Sequence, residues 1–214
     1  MLIEHTSLTR TASAILEGAG APRPHADAVA QHLVEANLKG HDSHGVGMIP
    51  AYVKGMIDKQ VDPNRHAEII KDNNAIVSVD GGTGLGRIVG FEAMDIGIER
   101  TKNFGIGCIA LGNAAHLGRI GAFAEYCADQ GLVSMHYVNV VGHDPMVVAF
   151  GGRGRGFCLR WRKSYFCFRK RMLKHDLPNI NNILKKIRNK SMIYIFRTES
   201  LQDVFIEPIV VISR

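Results

Sequence analysis

The sequence predicts an α/β fold in which a small three-helix unit packs against a mixed sheet covered by helices. Three observations carry that expectation. Apolar residues recur at helical spacing through most of the first 60 residues. Beyond residue 66, apolar runs too short for helices alternate with helical segments, the rhythm of an α/β domain. That rhythm stops near Arg153, where the composition changes. The expected organisation is therefore a helical unit over 1–60, an α/β unit over 61–153 and a basic tail over 154–214.

Thr6 or Ser7 is placed to cap a first helix with Leu8, Ala12, Ile15, Leu16 and Ala19 at helical spacing, ending between Gly18 and Pro22. Pro24 suits the first turn of a second helix, which carries Val29, Leu33, Val34 and Leu38 on one side and stops at Gly40. A third helix is expected from Val46 to Lys59, with Met48, Tyr52, Val53 and Met56 inward and Pro50 near its start. Residues 67–71 and 75–80 then form two short strands joined by the turn Asp72-Asn73-Asn74. A helix follows over 87–103. Residues 105–111 are apolar on both sides and form a buried strand. Arg119 to Gln130 is helical, with Ile120, Phe123, Ala124 and Cys127 on one side, and Leu132 to Val141 is a further strand.

The overall net charge of +6 is unevenly distributed. Residues 1–153 hold 12 Lys and Arg against 16 Asp and Glu, whereas residues 154–214 hold 14 against 4. The pI of 9.3 therefore says little about the first 153 residues, where function has to be sought. In the tail, basic residues are mixed with Phe157, Trp161, Tyr165, Phe166 and Phe168 without a clean period, so it is expected not to dock on the remainder as a native layer. Met192 to Phe196 and Val204 to Ile212 have strand-like composition. Cys108, Cys127, Cys158 and Cys167 form no CxxC pair, which points to a reducing, cytoplasmic setting. Neither a signal peptide nor an apolar run of membrane-spanning length is expected.

Four polar clusters stand at element ends. His41-Asp42-Ser43-His44-Gly45-Val46-Gly47 can deliver a proton and orient its donor, with glycines that let a substrate approach the backbone. The same residues can instead cap the next helix, or His41 and His44 can ligate a metal. Asn113 to Arg119, with His116, leaves the end of the buried strand, where α/β enzymes place catalytic groups or where a histidine caps the next helix. Gly81 to Arg87 resembles a dinucleotide-binding turn, but Gly84, Gly86 and Gly90 spell GxGxxxG, and a packing turn is favoured. His143-Asp144-Pro145 after Asn139 is a second polar loop or a turn.

Taken in order, His41 to Pro50 with Tyr52, Val79-Asp80-Gly81 with Gly84 and Gly86, Ala93-Met94, His116 with Gly118 and Gly121, Asn139, and Gly151-Gly152 resemble the malate/L-lactate dehydrogenase family of the second type. The resemblance covers residues 1–153 and implies a fold distinct from the Rossmann lactate dehydrogenases. It implies NAD- or NADP-dependent hydride transfer on a small 2-hydroxy or 2-oxo acid, in a homodimer, with no metal, nucleic acid or membrane partner. On that resemblance His116 is the proton acceptor, His44 a second proton-transfer group and Ser43 an orienting hydroxyl. Tyr52, Asn139, His143 and Asp144 are expected to contact substrate. Where many relatives carry a carboxylate-gripping arginine, this chain has Met48 and Ala51, with Lys54 the nearest cation.

Beyond Arg153 the family's Gly-Thr-Asn-Pro element, and with it most of the expected cofactor contacts, has no counterpart; residues 154–214 are expected to be non-homologous, in a truncated or frameshifted chain. Three functional classes follow: an impaired oxidoreductase, a non-catalytic remnant of one, and a nucleic-acid or membrane binder acting through the tail.

Overall fold

Helices α1 (His5–Gly18), α2 (Arg23–Leu38) and α3 (Ile49–Ile57) bury Ala12, Leu16, Ala26, Val29, Ala30, Leu33 and Met56 against one another. These come from a computed structural model that describes residues 3–138 and, by backbone pairing, the strands at 146–151 and 190–196. Leu16 and Leu33 are fully enclosed, each contributing about 1.5–3 kcal/mol by leaving water. Ile15, beside the Ala12–Leu16 face that α1 buries, and Leu38, the last residue of α2, are exposed rather than inward. The first cap is Glu4, whose carboxylate accepts from the Thr6 and Ser7 amides, so neither Thr6 nor Ser7 is the cap. The third helix starts later than expected. Val46–Met48 is a 3-10 turn and regular helix begins at Ile49, since Pro50 has no amide to donate and its ring crowds the carbonyl four residues back.

Among the described residues the second unit is a six-stranded sheet in the order β1 (Glu68–Asn73), β2 (Ile76–Asp80), β3 (Ile106–Gly112), β6 (Lys190–Phe196), β4 (Val133–Val138), β5 (Met146–Gly151). Strands β1 (Glu68–Asn73) and β2 (Ile76–Asp80) form an antiparallel hairpin around Asn74, whose φ of 55° is eased by the Asp72 side chain accepting its amide. Helix α4 (Gly86–Phe104) then returns the chain so that β3 (Ile106–Gly112) runs parallel to β2. Helix α5 (Gly121–Asp129) leads to β4 (Val133–Val138), paired antiparallel with β5 (Met146–Gly151). Val77, Val79, Met94, Ile98, Ile109, Leu111, Phe123 and Leu132 form the core between sheet and helices. Among the described residues no helix is long and apolar enough to cross a membrane.

Strand β6 (Lys190–Phe196) corrects the expectation that nothing in the tail joins this layer. It lies between β3 and β4, antiparallel to both. The reason is backbone chemistry: a strand as buried as β3 needs hydrogen-bonding neighbours on both sides, and the short run Lys190–Phe196 supplies one. Val204 to Ile212 lies outside the described residues.

Candidate active site

The cluster at 41–47 is shaped by Asn37, near the end of α2. Its side-chain oxygen accepts the Val46 amide at 2.8 Å and its amide donates to Asp42 at 2.6 Å. A Cβ on Gly45 would stand 2.2 Å from the Asn37 oxygen, so this glycine makes room for Asn37 rather than for substrate. Gly47, by contrast, faces open space. Asp42 and Ser43 do not cap α3, whose N-cap Met48 has no side-chain bond. Ser43 Oγ instead lies 2.9 Å from His44 Nδ1. Among the described residues no group of three His, Cys, Asp or Glu is placed to hold a metal.

His116 leaves the C-terminal end of β3 and is held from three directions. The turn Gly81–Gly86 braces its loop through Gly81 N to Gly112 O at 2.8 Å, Thr83 N to Asn113 O at 2.6 Å and Ala115 N to Gly84 O at 3.0 Å. Added Cβ atoms show how close the packing is: one on Gly86 would meet His116 O at 2.3 Å, and one on Gly84 would meet Val89 at 2.7 Å. The turn is thus filled by the protein's own atoms, and a dinucleotide does not fit it as a phosphate cradle. From the helical unit, Tyr52 Oη lies 2.8 Å from His116 Nδ1 and 3.3 Å from His116 O. On the third side, His32 Nε2 accepts the Arg119 amide at 3.1 Å, and Gly118, at φ 76°, has no room for a Cβ against that ring.

His32 is the residue that sequence reasoning missed. Its spacing from Val29 and Ala36 puts it on the buried side of α2, a signal that was available. Enclosed against Phe91 and Phe123, with Arg87 and Arg119 nearby, it is pushed down to about 3, so it stays neutral and keeps a lone pair for Arg119. Arg119 is itself buried, its guanidinium on Glu125 at 2.7 Å and Glu35 at 3.4 Å. Lys54 is exposed and paired with Asp58 at 2.6 Å, not turned to the histidines.

These supports bring His44 and His116 together, stacked with ring centroids 5.4 Å apart and planes 26° from parallel. Burial, with His44 second, lowers the His116 pKa, although its outer edge reaches solvent. Burial also raises the Tyr52 phenol, which keeps its proton. With Nδ1 occupied by Tyr52, proton exchange at His116 falls to Nε2. Ser43, His44, Tyr52 and His116 are therefore gathered at the junction of the two units. Asn139, His143 and Asp144 lie outside the described residues.

A sequence model of the family described as malate/L-lactate dehydrogenase matches residues 3–158. Hydroxycarboxylate dehydrogenase B of Escherichia coli is 46% identical over 144 residues, covering 67% of this chain and 40% of that protein. L-lactate dehydrogenase of Cupriavidus necator is 36% identical over 153 residues, covering 72% and 44%. The structure of sulfolactate dehydrogenase from Methanocaldococcus jannaschii superposes with a TM-score of 0.71 at 19% identity, over 92% of this chain and 78% of that one, a likeness of fold. The matched region spans less than half the length of the two curated relatives.

Proposed function

We propose that this chain, which belongs to the malate/L-lactate dehydrogenase family, carries the proton-transfer centre of a nicotinamide-dependent oxidoreductase acting on a small 2-hydroxy or 2-oxo acid. The observation that carries the reading is the stacked His44–His116 pair with Tyr52 on Nδ1 of the second ring. In oxidation, His116 Nε2 takes the proton of the substrate hydroxyl; in reduction it returns it. The neutral imidazole is the form required for oxidation, and the lowered pKa keeps it neutral near pH 7. His44 is the second proton-transfer group, with Ser43 on its Nδ1 orienting the ring. Bound nicotinamide supplies the hydride acceptor. Weak dinucleotide binding is expected on this reading, because the segment expected to carry most cofactor contacts has no counterpart after Arg153.

The same reading takes the active species as a homodimer. Edge strand β1 supports it, with all six residues exposed, Ile69 and Ile70 among them, an open edge suited to a second copy.

The test is nicotinamide absorbance with lactate, malate and sulfolactate, using NAD and NADP in turn. Turnover is expected with at least one acid, with a cofactor KM above roughly 1 mM, the upper end of the ordinary range. The kcat/KM for oxidation should rise with pH through a midpoint below the ordinary histidine value of 6.5. Turnover indifferent to His116→Gln overturns the reading.

A further inference from the structure

We propose that Tyr52 is a positioning residue for His116, selecting the imidazole tautomer that carries its proton on Nδ1 and leaves the lone pair on Nε2. This deepens the proton-acceptor reading of His116 and rests on it. One hydroxyl faces two atoms of the same residue: Nδ1 at 2.8 Å and the backbone carbonyl oxygen at 3.3 Å. The phenol ring is anchored in the apolar cluster of the helical unit and meets the imidazole edge-on, with centroids 5.8 Å apart. Its oxygen is therefore held in place relative to both partners.

A phenol has a single proton to donate. If Tyr52 donates to Nδ1, one bond forms, the carbonyl loses its phenol partner and the ring proton sits on Nε2. If Tyr52 donates to the carbonyl, its oxygen is left to accept from Nδ1–H, and two bonds form. The second arrangement satisfies both the ring nitrogen and the carbonyl with one more hydrogen bond and is favoured for that reason. Desolvation keeps the phenol from ionising, so the hydroxyl always has its proton to give.

The consequence concerns proton transfer. A free histidine side chain prefers the tautomer with the proton on Nε2, which cannot accept a substrate proton there. With Tyr52 in place, Nε2 starts with its lone pair. When it gains a proton, the ring becomes imidazolium, Nδ1–H still donates to Tyr52 and Tyr52 still donates to the carbonyl. No group has to turn during the step.

The experiment uses the full chain, free of substrate and cofactor, with labelled histidine nitrogens observed by NMR at pH 8. His116 is assigned by the signal lost in His116→Gln. The wild-type chain is expected to show Nδ1 in the protonated, pyrrole-like range and Nε2 in the lone-pair, pyridine-like range. In Tyr52→Phe the two positions should exchange. A wild-type His116 protonated on Nε2 overturns the proposal, as does a Tyr52→Phe spectrum that keeps the proton on Nδ1. Should Tyr52→Phe fail to fold, the wild-type spectrum decides alone. Because nothing is turned over, a failed dehydrogenase assay leaves this result standing, and a failed tautomer test leaves the assay standing.

Discussion

His44 is held by its neighbours in sequence: Ser43 on its ring, and Asn37 on Val46 and Asp42 of the same turn. His116 is held by residues far away in the chain, with Tyr52 at a separation of 64 residues and the bond from Arg119 to His32 spanning 87. The two rings end up stacked, yet one depends on a local turn and the other on the docking of two units. A change near His44 can therefore be absorbed by a few side chains. A change around His116 has to move backbone belonging to several elements.

The largest expected effect is on chemistry. His116→Gln should lower turnover by about 10²–10⁴-fold, the ordinary worth of a positioned acid or base, and His44→Gln should lower it less. Steady-state rates of the two variants under identical conditions check this. Equal losses would mean the rings act as one unit and would erase the asymmetry.

Acid should weaken the distant supports next. His32, one of these supports, and His136, a separate histidine buried on β4 beside Ser134, are both pushed down to about 3 by desolvation, against 6.5 when unfolded. The unfolded chain then binds more protons throughout that window, so stability is complete above pH 6.5 and falls as pH drops toward 3. At pH 5 each of these two groups costs roughly 2 kcal/mol, His116 adds to the loss in the same direction, and carboxylates contribute mainly below about pH 4. Urea unfolding at pH 7.5 and pH 5 measures the difference, and in His32→Gln it should shrink by roughly 2 kcal/mol. An unchanged difference would remove His32 from the account.

Three glycines give the finest comparison. Gly86→Ala drives a Cβ into the carbonyls of Ala115 and His116, and should destabilise by about 3 kcal/mol. Gly45→Ala meets only the Asn37 side chain, which can rotate away, and should cost about 1–2 kcal/mol. Gly47→Ala meets nothing and should stay within about 0.5 kcal/mol. Thermal unfolding of the three variants ranks them. A Gly45→Ala loss equal to that of Gly86→Ala would show that the local turn is as rigid as the braced loop.

Element types and loop-end histidines were legible in the sequence because the forces behind them act within a turn or two. Hydrophobic period marked α2, a short run apolar on both sides marked β3, and Pro24 marked the start of α2. The resemblance that marks the family also rests on residues strung along the chain in order, so it too could be read without a fold. Only the tertiary structure decided what those residues do to one another. It turned Gly45 toward Asn37, closed the Gly81–Gly86 turn on the His116 loop, set Tyr52 on His116 rather than leaving it solely for substrate, and placed β6 between β3 and β4. Each of these is a close approach between segments whose sequence separation carries no distance information. Apolar burial brings such segments together without specifying their polar partners, and the partners are settled only when every buried donor and acceptor has to find one.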